Sequence, residues 1–99
     1  MATGTIKKRV SFGAMTQVTF PFTAPSDGVL YYRFPPTSSS VTALVYLRMT
    51  SPITLQLAQH QSSNGVDIVS SFPVAKGWKI EVSYISGATF STAYFLPLV

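Results

Sequence analysis

The segment that decides the predicted fold is Phe72–Leu98, with the sequence FPVAKGWKIEVSYISGATFSTAYFLPL. After a turn signal at Lys76-Gly77, apolar residues occupy every second position, at Trp78, Ile80, Val82 and Tyr84. A repeat of two residues is typical of a β-strand with one buried face. Ser86-Gly87 indicates a short turn, and a second aromatic strand follows to the end of the chain. The segment therefore predicts a β-hairpin.

The remainder of the chain has the same apolar spacing. No window has the 3.6-residue spacing of an amphipathic helix, and β-branched and aromatic residues are dense. The further predicted strands are Ile6–Phe12, Met15–Thr23, Val29–Phe34, Val41–Met49, Ile53–Ala58 and Val66–Phe72. Together with the hairpin they make about eight short strands, a number typical of a sandwich or a small barrel. We therefore predict one all-β domain over residues 1–99.

The composition predicts a surface that is buried in the working state. Of the 99 residues, 46% are hydrophobic and 10% are charged, whereas soluble domains usually carry about 25% charged residues. A small domain has a large surface relative to its volume, and so few charged residues cannot cover that surface. Most soluble oligomers are symmetric assemblies of identical chains, and obligate interfaces resemble a protein core. We therefore expect association with identical copies.

The residue types needed for catalysis are scarce. The chain has no cysteine, one histidine, and three carboxylates, at Asp27, Asp67 and Glu81. A nucleophilic triad requires a histidine beside a serine and a carboxylate, and a metal site requires clustered ligands. His60 is expected to be exposed or at an interface. We predict no enzymatic activity, no catalytic residue, no metal site and no cofactor.

Membrane insertion and nucleic-acid binding are also not expected. The N-terminus lacks the apolar region of a signal peptide, and no apolar run approaches the ~20 residues that span a bilayer. The net charge of +4 includes one run of basic residues, Lys7 to Arg9. Aromatic residues beside Arg33 and Arg48 could stack on bases or sugars, or anchor a protein interface. The basic residues do not form the stripe that a phosphate backbone requires.

Three segments together resemble compact β-domains of bacteriophage tail fibres and related virion proteins. They are FTAPSDGVL at Phe22–Leu30, FPVAKGWKI at Phe72–Ile80, and YFLPL at Tyr94–Leu98. Each is a short structural motif, and the three, 23 residues in all, are spread over residues 22–98. Trp78 departs from the pattern, because the family usually has Asp at that position.

The resemblance implies an antiparallel jelly-roll-like β-sandwich that forms a homotrimer, similar in outline to tumour-necrosis-factor and complement-type heads. Such domains form the tip of a tail fibre and contact glycans or proteins of the host surface. The implied location is the virion, after synthesis in the host cytoplasm. One alternative is a capsid decoration or tail accessory protein that binds only other virion subunits. Another is a small barrel that binds single-stranded nucleic acid.

Two sets of candidate residues follow from these expectations. Loops Pro35–Ser40 and Gln61–Asp67 are polar enough to present hydrogen-bonding groups to a receptor. The candidate receptor contacts are Tyr32, Ser38, Ser39, Tyr46 and Asn64. The candidate subunit-interface residues are Leu44, Ile85, Phe95 and Leu98. Trp78 and Tyr84 are predicted to face the core, and Ile85 and Phe95 to face away from it.

Overall fold

The computed structural model describes residues 11–99, which form eight strands and no helix. The strands are β1 (Thr16–Val18), β2 (Phe22–Thr23), β3 (Gly28–Phe34), β4 (Ala43–Ser51), β5 (Leu55–Ser62), β6 (Ile68–Val74), β7 (Lys79–Ser86) and β8 (Thr92–Pro97). The predicted all-β class is confirmed. Most of the predicted strand Ile6–Phe12 lies outside the described residues, but Phe12 forms an isolated bridge with Leu98.

The strands form two four-stranded antiparallel sheets, with the orders β1-β8-β3-β6 and β2-β7-β4-β5. Strand β1 pairs with β8, β2 with β7, β3 with β6, and β4 with β5. This pairing is that of one long hairpin whose two arms are folded into a sandwich, which is the topology of a jelly roll. The predicted antiparallel jelly-roll-like β-sandwich is confirmed.

The predicted hairpin at Phe72–Leu98 is wrong, because β7 and β8 lie in different sheets. The Ser86-Gly87 turn carries the chain from one sheet to the other. Gly87 has φ +69°, and a Cβ at this position would lie 2.5 Å from the carbonyl oxygen of Thr42. The turn therefore requires glycine for both its conformation and its close packing. Alternation identified the strands correctly, but it contains no information about which strands pair.

The predicted strand Met15–Thr23 is divided in two. Thr19–Pro21 separates β1 from β2, and the Phe20-Pro21 peptide bond is cis. Proline has no N–H to donate to a ladder, so it marks the interruption. Because of this break, β1 joins one sheet and β2 joins the other.

The core lies between the two sheets and is built from alternate residues of the central strands. Strands β3 and β4 each bury every second residue, as the two-residue repeat requires. The largest fully buried side chains are Leu30, Tyr32, Phe34, Val45, Leu47 and Ile80. Burial of such side chains stabilises the fold by about 1.5–3 kcal/mol each.

A bulge in β7 reverses the faces predicted for two residues. Tyr46 is paired with Tyr84 and Leu47 with Val82, so Ser83 is an extra residue in the ladder. After this bulge Tyr84 lies on the outer face and is 48% exposed. Ile85 lies opposite the buried residue Val45, on the inner side. The prediction that Tyr84 faces the core is therefore wrong. Ile85 lies in register with the core, contrary to the prediction, but it is still 41% exposed, in the wall of a cavity at the edge of the sandwich.

The turns that carry the family resemblance lie together at one end of the sandwich. The backbone N–H of Lys76 donates to Asp27 Oδ1 over 2.9 Å, and that of Leu98 donates to the carbonyl oxygen of Asp27 over 2.9 Å. Gly77 N–H donates to the carbonyl oxygen of Ala24 over 2.8 Å. These motifs therefore hold the fold together by linking three segments that are distant in the chain.

Candidate functional site

Two polar loops meet at the end of the sandwich opposite these turns. The loop after β3 contains Ser38 and Ser39, and the loop after β5 contains Asn64; all three residues are exposed. A Cβ on Gly65 would lie 3.2 Å from Ser39 Cβ, so the loops are in contact. Asn64 and Gly65 have φ values of 59° and 75°, the positive values of the tight turn that Asn-Gly favours. The structure therefore brings these three predicted residues to one end.

A third loop, between β7 and β8, completes this end. Thr37 N–H donates to the carbonyl oxygen of Gly87 over 2.9 Å, and Thr89 N–H donates to that of Pro35 over 3.1 Å. We call the three loops together, residues 35–42, 63–67 and 87–91, the loop end. It presents serine and threonine hydroxyls and one asparagine side-chain amide, groups that can both donate and accept hydrogen bonds.

Tyr32 does not reach the surface. It is 0% exposed, because β3 directs it into the core between Leu30 and Phe34. The prediction that Tyr32 contacts a receptor is therefore wrong. The outward-facing tyrosine of this pair is Tyr31, and the alternation alone did not say which of two adjacent aromatic residues would be buried.

The Tyr32 hydroxyl meets His60 inside the sandwich. Tyr32 Oη lies 2.5 Å from His60 Nε2. Burial raises the pKa of Tyr32, and a hydrogen bond with Ser70 lowers it by less. Burial also lowers the pKa of His60. Both pKa shifts favour a neutral pair in which the tyrosine hydroxyl donates to the imidazole. His60 is therefore a half-buried residue that faces the core, and the expectation that it is exposed or at an interface is corrected.

Tyr46 lies on the outer face of the sheet β2-β7-β4-β5. Its ring is next to that of Tyr84, with centroids 5.4 Å apart and planes inclined by 41°. Arg48 Nε donates to Glu81 Oε2 over 2.8 Å, and Arg48 Nη2 lies 2.6 Å from the same oxygen. We call this surface the Gln–Tyr face, formed by Leu44, Tyr46, Arg48, Gln56, Gln59, Gln61, Glu81, Tyr84 and Ser86.

The four predicted interface residues do not form one surface. Leu44 is half-buried on the Gln–Tyr face, and Ile85 is on the inner side of the same sheet. Phe95 is 3% exposed and packs on Phe22 in the core, so its prediction as an interface residue is wrong. Leu98 is exposed at the turn end of the molecule.

The outer face of the other sheet is largely apolar, which sequence reasoning missed. Its apolar residues, which we call the apolar face, are Val29, Tyr31, Val69, Pro73, Tyr94 and Leu96, and the polar residues among them are Gln17, Arg33, Ser71 and Thr92. The rings of Tyr31 and Tyr94 are 6.3 Å apart. Its charged groups lie at the margin, where Arg33 Nε donates to Asp67 Oδ2 over 2.8 Å. The sequence does show apolar residues at the positions of β3 and β8 that alternate with the core residues. Only the pairing of the strands shows that these residues lie on one surface.

A cavity of about 460 Å³ opens at the edge of the sandwich, beside the break between β1 and β2. Its walls include Phe20, Phe34, Phe90, Val82 and Ile85. The Phe34 and Phe90 rings meet edge to face, with centroids 5.6 Å apart. Such walls suit an apolar group. Sequence reasoning did not predict this cavity, because its walls come from segments distant in the chain.

Within residues 11–99, no group of three or more potential ligands could hold a metal ion. No helix in this part of the chain could cross a membrane. No protein-family model matches the sequence, and searches of curated proteins and of solved structures return no significant match. The candidate surfaces are therefore defined by geometry: the loop end, the Gln–Tyr face and the apolar face.

Proposed function

We propose that this protein is a non-enzymatic structural subunit of a bacteriophage particle. It assembles as a homotrimer and contacts the host cell surface, in the manner of a tail-fibre tip. Self-association is carried by one observation, the apolar face. The virion location and the trimer are supported by the resemblance of the three turn and terminal motifs.

The apolar face favours a protein partner over water. It presents two tyrosines and four aliphatic or proline side chains across neighbouring strands. Of these, Val69 and Pro73 are exposed, and Val69 has 50% of its surface exposed. Contiguous apolar patches are unusual on soluble monomers and mark interaction surfaces. The low charge content of the whole chain, 10%, is consistent with burial of such a surface. A second copy is the partner that is present wherever the chain is made.

The jelly-roll topology is compatible with this role. Viral capsid proteins and lectins both use it, although a fold does not establish a function. When the apolar face is buried against other copies, the loop end remains free. Exposed loops on a rigid β-scaffold are a common place for recognition, so Ser38, Ser39 and Asn64 remain candidate receptor contacts.

Light scattering on the full chain tests the assembly. We expect a mass of about three chains, since the chain itself is 10.7 kDa. Tyr94→Glu places a charge in the apolar face and should yield a folded monomer, because an unpaired buried charge is costly. The matched control is Tyr84→Glu on the opposite sheet, which should remain trimeric. A wild-type monomer would contradict the proposal.

Immunogold labelling of phage particles tests the location. Label at the tail tip, together with loss of adsorption to cells when antibody covers the loop end, is the expected result. Label on the capsid lattice would favour the alternative, a decoration or accessory protein that binds only virion subunits, and would contradict host contact.

A further inference from the structure

We propose that the Gln–Tyr face binds a neutral oligosaccharide whose successive sugar rings are twisted relative to one another. This inference rests on the proposed contact with the host surface and names the chemistry of that contact. It places the contact on the sheet face, next to the loop end, rather than on the loops alone.

The centre of the face is an aromatic platform. Tyr46 and Tyr84 lie side by side on β4 and β7, and Tyr84 is 48% exposed. The apolar C–H side of a sugar ring can pack on a tyrosine ring, while the phenol hydroxyl remains available for a hydrogen bond. Two such rings 5.4 Å apart offer adjacent positions for two consecutive sugars. This separation is close to the length of one pyranose unit.

The angle between the Tyr46 and Tyr84 ring planes restricts the shape of the oligosaccharide that can pack on both. Because their planes differ by 41°, two coplanar sugar rings could not both lie flat on them. A chain that turns between successive rings meets both.

Planar polar side chains border the aromatic pair. Gln59 lies beside Tyr46 on the neighbouring strand, and Gln61 and Gln56 occupy the adjacent rows. All three are exposed. A primary amide offers two donors and an acceptor, which matches hydroxyl groups that donate and accept together. The Ser86 hydroxyl adds one more such group at the end near the loops.

The charges of the face favour a neutral ligand. Arg48 and Glu81 form an ion pair with each other, so together they add no net charge. A phosphate or sulfate chain would require cations that are not already paired. The pair still offers free N–H donors and carboxylate lone pairs along its rim, both suited to sugar hydroxyls.

The two outer faces of the sandwich differ in a way that separates their partners. On the outer face of the other sheet, Ser71 and Gln17 lie beside the tyrosines, but the neighbouring row is wholly apolar, formed by Val29, Pro73 and Leu96. The Gln–Tyr face instead has a glutamine opposite every outward residue of β4 from Leu44 to Arg48. Burial of those amides against a protein would cost free energy unless each found a partner. A sugar, which has a hydroxyl on nearly every carbon, supplies those partners.

The test begins with the full chain on a printed panel of neutral and anionic oligosaccharides. The best neutral binder is then titrated in solution, so that each site is measured independently of avidity. We expect Tyr46→Ala and Tyr84→Ala each to weaken binding by about tenfold, the change that corresponds to ~1.4 kcal/mol. Tyr31→Ala, which truncates the matching tyrosine of the apolar face, should leave the affinity within about twofold.

Circular dichroism on each variant confirms that the fold is retained. Affinity for the neutral ligand should also change little between about 50 and 500 mM salt, because a ligand without charge makes no charge–charge interaction for the salt to screen. A blank panel, binding confined to anionic sugars, or equal losses for Tyr31→Ala and Tyr46→Ala would each overturn the inference.

The outcomes also separate this inference from the proposed assembly. A monomer whose oligosaccharide affinity depends on Tyr46 would overturn the trimer and support the sugar site. A trimer that binds no sugar would support the assembly and overturn the sugar site. Dissociation of the trimer by Tyr84→Ala would assign the Gln–Tyr face to a second copy, and would overturn the sugar site.

Discussion

At the residue scale, Gly28 shows how one motif position serves the fold. It ends the turn that begins at Ala24, and it pairs with β6 and β8 at once. A Cβ at this position would lie 2.3 Å from the carbonyl oxygen of Leu96 and 2.7 Å from the Phe95 ring. The Leu96 carbonyl cannot move away without disturbing the ladder between β3 and β8, and the Phe95 ring is packed in the core, so only glycine fits.

Gly28→Ala should therefore lower the free energy of unfolding by about 3 kcal/mol, because the methyl group overpacks the centre of a sheet. Gly77→Ala is the matched control: its φ is +89°, but nothing lies within 4 Å of a Cβ there. Backbone strain alone should cost about 1 kcal/mol at Gly77. Urea unfolding measures both, and an equal loss for the two variants would contradict the close approach at Gly28.

His60 makes the second prediction at this scale, a loss of stability in mild acid. Burial lowers its pKa in the folded protein below the ordinary value of 6.5. Above pH 6.5 both states are neutral at this group and its contribution is complete. As the pH falls below 6.5 the unfolded chain binds the proton first, so stability is lost until the pH passes the folded pKa.

We expect the free energy of unfolding to fall between pH 7 and pH 5 in the wild type and to fall less in His60→Gln. Denaturant titrations at a series of pH values provide the measurement. Both proteins have the same carboxylates, so the difference between their two curves of unfolding free energy against pH gives the contribution of His60. Parallel curves would show that His60 does not titrate differently in the folded state.

At the scale of the element, β7 shows how a bulge sets the exposed chemistry. Ser83 is the extra residue opposite β4, and its hydroxyl donates to the carbonyl oxygen of Tyr46 over 3.3 Å. Without an extra residue, strict alternation would place Tyr84 beside Val82 on the inner face. The bulge therefore creates the exposed tyrosine pair.

Deletion of Ser83 should be tolerated, with a loss of about 1 kcal/mol or less, because Tyr84 would then follow Val82 directly and keep its pairing with Tyr46. Deletion of Ser71 in β6, where the ladder with β3 is regular, should unfold the protein, because it turns the residues on one side of the gap to the wrong face. Thermal unfolding compares the two. Equal losses would argue against the bulge.

At the scale of the whole molecule, the sandwich carries almost no net charge. Residues 11–99 contain four basic and three acidic residues, and two of the arginines are paired with carboxylates. The remaining basic residues are Lys7, Lys8 and Arg9, which precede the described part. The net charge of +4 is therefore mainly a property of that short segment. The described part of the chain has no row of unpaired basic residues that could follow a phosphate backbone.

Binding to single-stranded DNA should consequently be weak. With about three phosphates neutralised, the logarithm of the affinity should fall with the logarithm of salt concentration with a slope of about −2. Fluorescence anisotropy with labelled oligothymidine measures this slope, and substitution of Lys7, Lys8 and Arg9 by Ala should abolish it. A slope of about −4 or steeper would instead favour the nucleic-acid alternative.

The sequence by itself determined the elements of this protein. Alternation along Val29–Phe34 and Val41–Met49 placed strands within two residues of those observed, because the side-chain period of a strand is a local property. The Asn64-Gly65 turn followed from local backbone preference in the same way. Composition indicated a surface with few charges, and the loops that carry Ser38 and Asn64 were located correctly.

Only the tertiary structure decided what those elements present. The exchange of strands between sheets at Gly87, the burial of Tyr32 and Phe95, and the exposure of Tyr84 all depend on pairing between distant segments. Pairing is set by the packing of two sheets around one core, and no local pattern contains it. Phe72–Leu98 is therefore a crossing between the two sheets of the sandwich, with Tyr84 on one outer face and Tyr94 on the other.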